Sequence, residues 1–137
     1  MVIHVGLDLV SVAEVADALV ALHGHRYLTR VYTEREIADC RTSAGVDPRR
    51  LAARFAAKEA TLKALGTADD AVSLRDIEVQ REPSGRVRLV LRGGAAELAA
   101  EAGVVELALS LTHEGGYAAA IVVAEYGRTA TDGAVQP

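Results

Sequence analysis

The chain has 137 residues, a formal charge of −4, half its residues hydrophobic and a quarter charged, the make-up of one ordinary globular domain. An acidic balance with no basic stripe argues against a nucleic-acid binder, and no apolar run approaches the roughly 20 residues that cross a bilayer. Cys40, the one cysteine, excludes an intrachain disulfide and a cysteine-based zinc site.

Residues 2–10 (VIHVGLDLV) alternate Ile3, Val5, Leu7 and Leu9 with His4, Gly6 and Asp8, which predicts a strand with one apolar face and Asp8 near its end on the other. The opening residues lack the basic segment, long apolar run and cleavage site of a secretory leader, so a cytoplasmic protein is the expectation. Ser11-Val12-Ala13-Glu14 fits a capping box that opens a helix. Val12, Val15, Ala16, Leu19 and Leu22 form its apolar stripe, and Gly24 is read as its end. A second box, Thr33 to Glu36, predicts a short helix to about Arg41.

Residues 43–48 form a turn-rich break, followed by a third helix from about Arg49 to Leu65 closed by Gly66. Strands are expected at about 76–81 and 86–91 around Pro83-Ser84-Gly85, then a helix at 95–102 after Gly93-Gly94. A last strand pair, 104–112 and 117–125, is joined across Gly115-Gly116. Residues 127–137 read as a polar, disordered tail after a single domain at 1–126. Strand pairs on short turns favour an antiparallel α+β sheet packed against helices. No G-x-G-x-x-G follows a strand, so a dinucleotide fold has no support.

Chemistry concentrates in the third helix, where Glu59 and Lys63 share a face with Phe55 one turn earlier. Taken alone, the pair is an ordinary surface salt bridge, or its carboxylate is a candidate ligand. Asp8 is open to the same two readings, turn residue or ligand, although Ser11 already fills the helix cap. Two separated carboxylates suit magnesium, which takes one or two protein oxygens and completes its octahedron with water and phosphate. Basic residues are almost all Arg, with Lys only at 58 and 63, where a compact ammonium has a distinct use. His113 before Gly115-Gly116 is a turn residue or a ligand contact. His4, His23 and His25 form no metal-ligand pattern with it. Cys40 in EIADCRT reads as a small buried residue on a helix.

Gly6-Leu7-Asp8-Leu9-Val10, Arg54-Phe55-Ala56-Ala57-Lys58-Glu59-Ala60 with Lys63-Ala64-Leu65-Gly66, Asp76-Ile77-Glu78-Val79, and Ser110-Leu111-Thr112-His113-Glu114 occur in that order. Together they resemble the motifs of the holo-[acyl-carrier-protein] synthase family of phosphopantetheinyl transferases, over nearly the whole chain. The resemblance implies transfer of 4′-phosphopantetheine from coenzyme A to a serine of an apo acyl carrier protein, releasing adenosine 3′,5′-bisphosphate. It makes Asp8 and Glu59 the Mg2+ ligands, and Glu59, Lys63 and His113 the catalytic residues. Arg54, Lys63 and His113 become contacts to the coenzyme phosphates. Glu59 or a metal-bound water could take the serine proton. Family members of this length resemble trimers with active sites between subunits, so a homotrimer is expected. The competing class is a non-catalytic coenzyme A or carrier-binding homologue of the same fold.

Two features depart from the family pattern. Glu14 stands where the family often has a basic residue facing the acidic carrier, which leaves Arg26 and Arg30 as basic candidates for that face. A usually glycine-rich stretch is here Ala68-Asp69-Asp70-Ala71. Both lean towards a specialised carrier, as in secondary metabolism, rather than the carrier of fatty-acid synthesis.

Overall fold

The computed structural model describes residues 1–67 and 71–127, so the expectations for Asp69-Asp70 and for most of the tail lie outside the described residues. The elements run β1 (Val2–Ser11), α1 (Val12–Val20), α2 (Gly24–Val31), α3 (Glu34–Asp39), β2 (Arg41–Thr42), β3 (Gly45–Val46) and α4 (Pro48–Leu65). After a single 3-10 turn, Leu74–Asp76, come β4 (Ile77–Arg81), β5 (Val87–Leu91), α5 (Gly93–Ala102), β6 (Val104–Glu114) and β7 (Tyr117–Tyr126). The main sheet has the order β1-β7-β6, antiparallel throughout, beside two hairpins, β2-β3 and β4-β5. This is the expected antiparallel α+β arrangement.

The organising element is α4. Asp47 caps it by accepting the Arg49 N–H at 2.9 Å, and Pro48 sits in its first turn, where a missing N–H costs nothing. It is buried on nearly every side, from Leu51 and Ala52 through Ala56, Ala57 and Ala60 to Ala64. Small residues allow that close approach on all faces. The sheet meets it with an equally small row on β7, Ala118, Ala120, Val122 and Ala124, all buried. Gly6 on β1 takes this furthest, because a Cβ there would fall on the Ala60 carbonyl oxygen.

That contact decides which face of β1 turns inward. Gly6, Asp8 and Val10 face α4, while the apolar row Ile3, Val5, Leu7 and Leu9 stays 55–65% exposed. Ile121 and Tyr117 of β7 extend the same outer face through their pairing with Leu7 and Ser11. Exposed apolar patches of this kind are candidates for interaction surfaces.

The helical region differs from the sequence reading in one element. Gly24 does not simply end α1: it begins α2, its Cα packed so tightly that a Cβ would strike the Leu19 carbonyl. α1 stops at Val20, and Leu22, expected in its buried stripe, is 93% exposed at the corner between the helices. Val15 is the stripe's buried anchor, with Val12 and Leu19 packed beside it.

Candidate active site

The inward face of β1 carries Asp8 to the C-terminal half of α4. There the Lys63 ammonium donates to Asp8 Oδ1 at 3.0 Å and to the Leu7 carbonyl at 2.9 Å. Glu59 lies one helical turn before Lys63 on the same face of α4. Asp8, Glu59 and Lys63, 51 or more residues apart between strand and helix in two cases, therefore gather at one edge of the sheet.

Arg54 and His113 gather elsewhere, in a cavity of about 440 Å³ that they line with Arg49, Arg50 and Arg81. Arg54 is 1% exposed and donates from Nη1 to the Arg50 carbonyl at 3.2 Å. Its buried Nε and Nη2 have no hydrogen-bond partner among the described residues. Guanidinium donors left buried and unsatisfied are costly, and an anion in the cavity would satisfy them with bidentate geometry. The placement of Arg49 and Arg50 sharpens the point. Arg49 and Arg50 sit in the first turn of α4, where the helix dipole disfavours cations and favours anions.

Sheet register relates the two clusters. Asp8 pairs with Ala120 and then Leu111, while Val10 pairs with Ala118 and then His113. Asp8 and His113 thus sit on one face, two strands and two residues apart, or roughly 12 Å. Along α4, Arg54 precedes Glu59 by five residues, a rise of roughly 7 Å. Five residues also turn the helix by about 140°, so the two clusters lie on opposite flanks of α4.

A model of the 4′-phosphopantetheinyl transferase superfamily matches residues 4–122. The chain belongs to that superfamily. The chain is 42% identical over 126 residues to the holo-[acyl-carrier-protein] synthase of Koribacter versatilis, covering 91% of this chain and 99% of the relative. Among solved structures, the ACPS-CoA complex of Chronobacterium ammoniagenes superposes with a TM-score of 0.82 at 36% identity, covering 93% of this chain and 100% of that one. The Helicobacter pylori holo-[acyl-carrier-protein] synthase in complex with coenzyme A gives 0.76 at 27% identity, covering 88% and 99%.

A phosphopantetheinyl transferase handles a pyrophosphate, and the edge cluster suits a divalent cation. Among the described residues no group of three or more His, Cys, Asp or Glu forms a ready metal cage. Two carboxylates are nonetheless what magnesium takes when phosphate and water supply the rest. The Lys63 ammonium, lodged between a carboxylate and a carbonyl oxygen, is a stand-in that shows the position accepts positive charge.

The cavity brings Arg54 and His113, both candidates from the sequence, together with Arg49, Arg50 and Arg81, which were not. Arg50 and Arg54, four apart on one helix face, carried a readable signal; Arg81, at the end of β4, carried none. Cys40 caps α3, fully buried, and burial pushes its thiol up to about 11, so it stays protonated and inert. His4 packs edge-on against Tyr126 at 4.9 Å, in keeping with a packing role.

Proposed function

We propose that the protein transfers 4′-phosphopantetheine from coenzyme A to a serine of an apo acyl carrier protein, with Mg2+ held by Asp8 and Glu59. The observation that carries this reading is the edge cluster itself, in which Lys63 holds Asp8 one helical turn from Glu59, with a separate arginine-lined cavity on the other flank of α4. Magnesium bound there would offset charge on the pyrophosphate oxygens.

The serine oxygen attacks the phosphorus that carries the pantetheine arm, and the bond to the bridging pyrophosphate oxygen breaks. Adenosine 3′,5′-bisphosphate leaves with that bonding pair. Lys63 offsets its developing charge, and Glu59 or a water beside it accepts the hydroxyl proton. Arg54 and His113, with Arg49 and Arg50, hold a phosphate of the nucleotide end through charge-assisted hydrogen bonds.

Two surfaces support the partners of this reading. The outer apolar row of β1, continued by Ile121 and Tyr117, supports a homotrimer with sites between subunits. The corner after α1 exposes Val20 and Leu22 beside a groove lined by Arg26, Tyr27 and Arg30. That combination suits an acidic carrier with apolar side chains, and Arg26 and Arg30 would supply the charge that Glu14 does not. A cytoplasmic setting is part of this reading; what the described residues give is that no helix is long and apolar enough to cross a membrane.

The test is incubation with coenzyme A, Mg2+ and a panel of apo carrier proteins, followed by intact-mass spectrometry. One carrier should gain a phosphopantetheine group, and carriers of fatty-acid and secondary-metabolic origin should differ in rate. A panel left wholly unmodified, with coenzyme A intact, would sink the reading.

A further inference from the structure

We propose that the Lys63 ammonium is the resident cation of the Asp8 site in the free protein, and that a divalent cation must displace it to bind. This rests on the reading of Asp8 and Glu59 given above and adds an order of events to it. Lys63 Nζ is held by Asp8 Oδ1 at 3.0 Å and the Leu7 carbonyl at 2.9 Å. A carboxylate beside a backbone carbonyl is the donor pair that a hard cation prefers, and a metal ion that takes both of those oxygens leaves the ammonium without its acceptors.

The two partners differ in freedom. The Asp8 side chain is 18% exposed, on a strand that Gly6 presses against α4, whereas that of Lys63 is 55% exposed. Displacement therefore moves the lysine and leaves the carboxylate in place. The other lysine cannot substitute, because Lys58 is fully buried and bonded to Glu36 and to the Leu74 and Ile77 carbonyls. Lys63 thus has two successive roles. In the free protein it compensates and orients Asp8; once released it stands one turn beyond Glu59, free to take a donor phosphate. A phosphate that accepts Lys63 lowers the cost of vacating Asp8, so cation and phosphate donor assist each other's binding, reciprocally.

Only Lys58 and Lys63 are lysines, so lysine-labelled protein has two ammonium signals to follow by NMR. Mg2+ alone should move the Lys63 signal towards its position in Asp8→Asn and leave that of Lys58 in place. Mn2+ binding, counted by electron paramagnetic resonance without coenzyme A, should tighten about two- to fivefold in Lys63→Met, the factor an exposed ion pair represents. An unmoved Lys63 signal at saturating Mg2+, or equal Mn2+ affinity in wild type and Lys63→Met, overturns the displacement. Mn2+ binding that Asp8→Asn and Glu59→Gln leave unweakened, or none in any variant, overturns the cation site itself.

Discussion

Lys58 and Glu36 form an ion pair at 2.6 Å with both side chains fully out of solvent. All three ammonium protons are used, since Lys58 also donates to the Leu74 and Ile77 carbonyls, and Glu36 accepts from the Thr33 and Val79 N–H groups. The pair joins α3, α4 and β4 and sets the rotation of α4 beside Glu59. Burial lowers the lysine pKa, opposed by the Glu36 carboxylate. Breaking it leaves a buried charge uncompensated, so Lys58→Met should cost about 3–5 kcal/mol. Lys63→Met, at an exposed pair, should cost under about 1 kcal/mol. Urea unfolding of the two variants checks the contrast.

Gly6 is the second point on which the site depends. A methyl group there would meet the Ala60 carbonyl, backbone that cannot rotate away. Gly6→Ala should push β1 off α4, destabilise the fold by about 1–3 kcal/mol, and carry Asp8 away from Lys63. Thermal unfolding reads the first effect. Loss of transfer activity beyond the loss of folded protein reads the second.

The sequence made α4 legible because its ends carry chemistry, Asp47-Pro48 in front and Gly66 behind, and its motif is dense. The last two strands were equally clear from Gly115-Gly116 between apolar runs. α2 was hidden because Gly24 looks like a stop, and only the close crossing of α1 and α2 explains a glycine at a helix start. The inward face of β1 was not legible either. Alternation identifies two faces but not which one meets the core, and here a glycine and an aspartate face inward because α4 needs the space. Asp8, Glu59 and Lys63 drew notice through their motifs, whereas the arginine cavity needed Arg81 from a distant strand to be seen.

Glu78 sets an acid limit on stability. Burial raises its pKa, but hydrogen bonds from Thr33, Gln80 and Arg92 outweigh that and hold it at about 2, against an ordinary 4.5. The folded state binds this proton more weakly than the unfolded chain. The contribution is therefore fully present above about pH 4.5 and is lost as pH falls towards 2, at most about 3 kcal/mol. Unfolding free energy measured across that window should fall less steeply in Glu78→Gln than in wild type.

The exposed row on β1 gives a prediction about assembly. Val5 is 55% exposed in the single chain, so a charge there should leave the chain's own packing intact while opposing burial against a neighbour. Val5→Glu should keep its circular dichroism spectrum. Sedimentation should report one chain for Val5→Glu and three for wild type, with transfer activity lost in the variant.

Arg54 is where stability and function pull apart. Its guanidinium is buried with Nε and Nη2 unsatisfied, beside Arg49, Arg50 and Arg81. In the free protein this arrangement is a net cost, of about 1–3 kcal/mol for the unmet donors alone. Arg54→Met keeps much of the volume and removes both the orphaned donors and one repelling charge. It should raise the unfolding free energy by about 1 kcal/mol or more, measured by urea unfolding without ligand. With coenzyme A present, a lost phosphate contact should raise KM for coenzyme A by about 10-fold or more, the scale of a buried charge-assisted hydrogen bond. A stabilised variant with unchanged KM would leave the cavity's arginines without a ligand and would separate them from the transfer reaction.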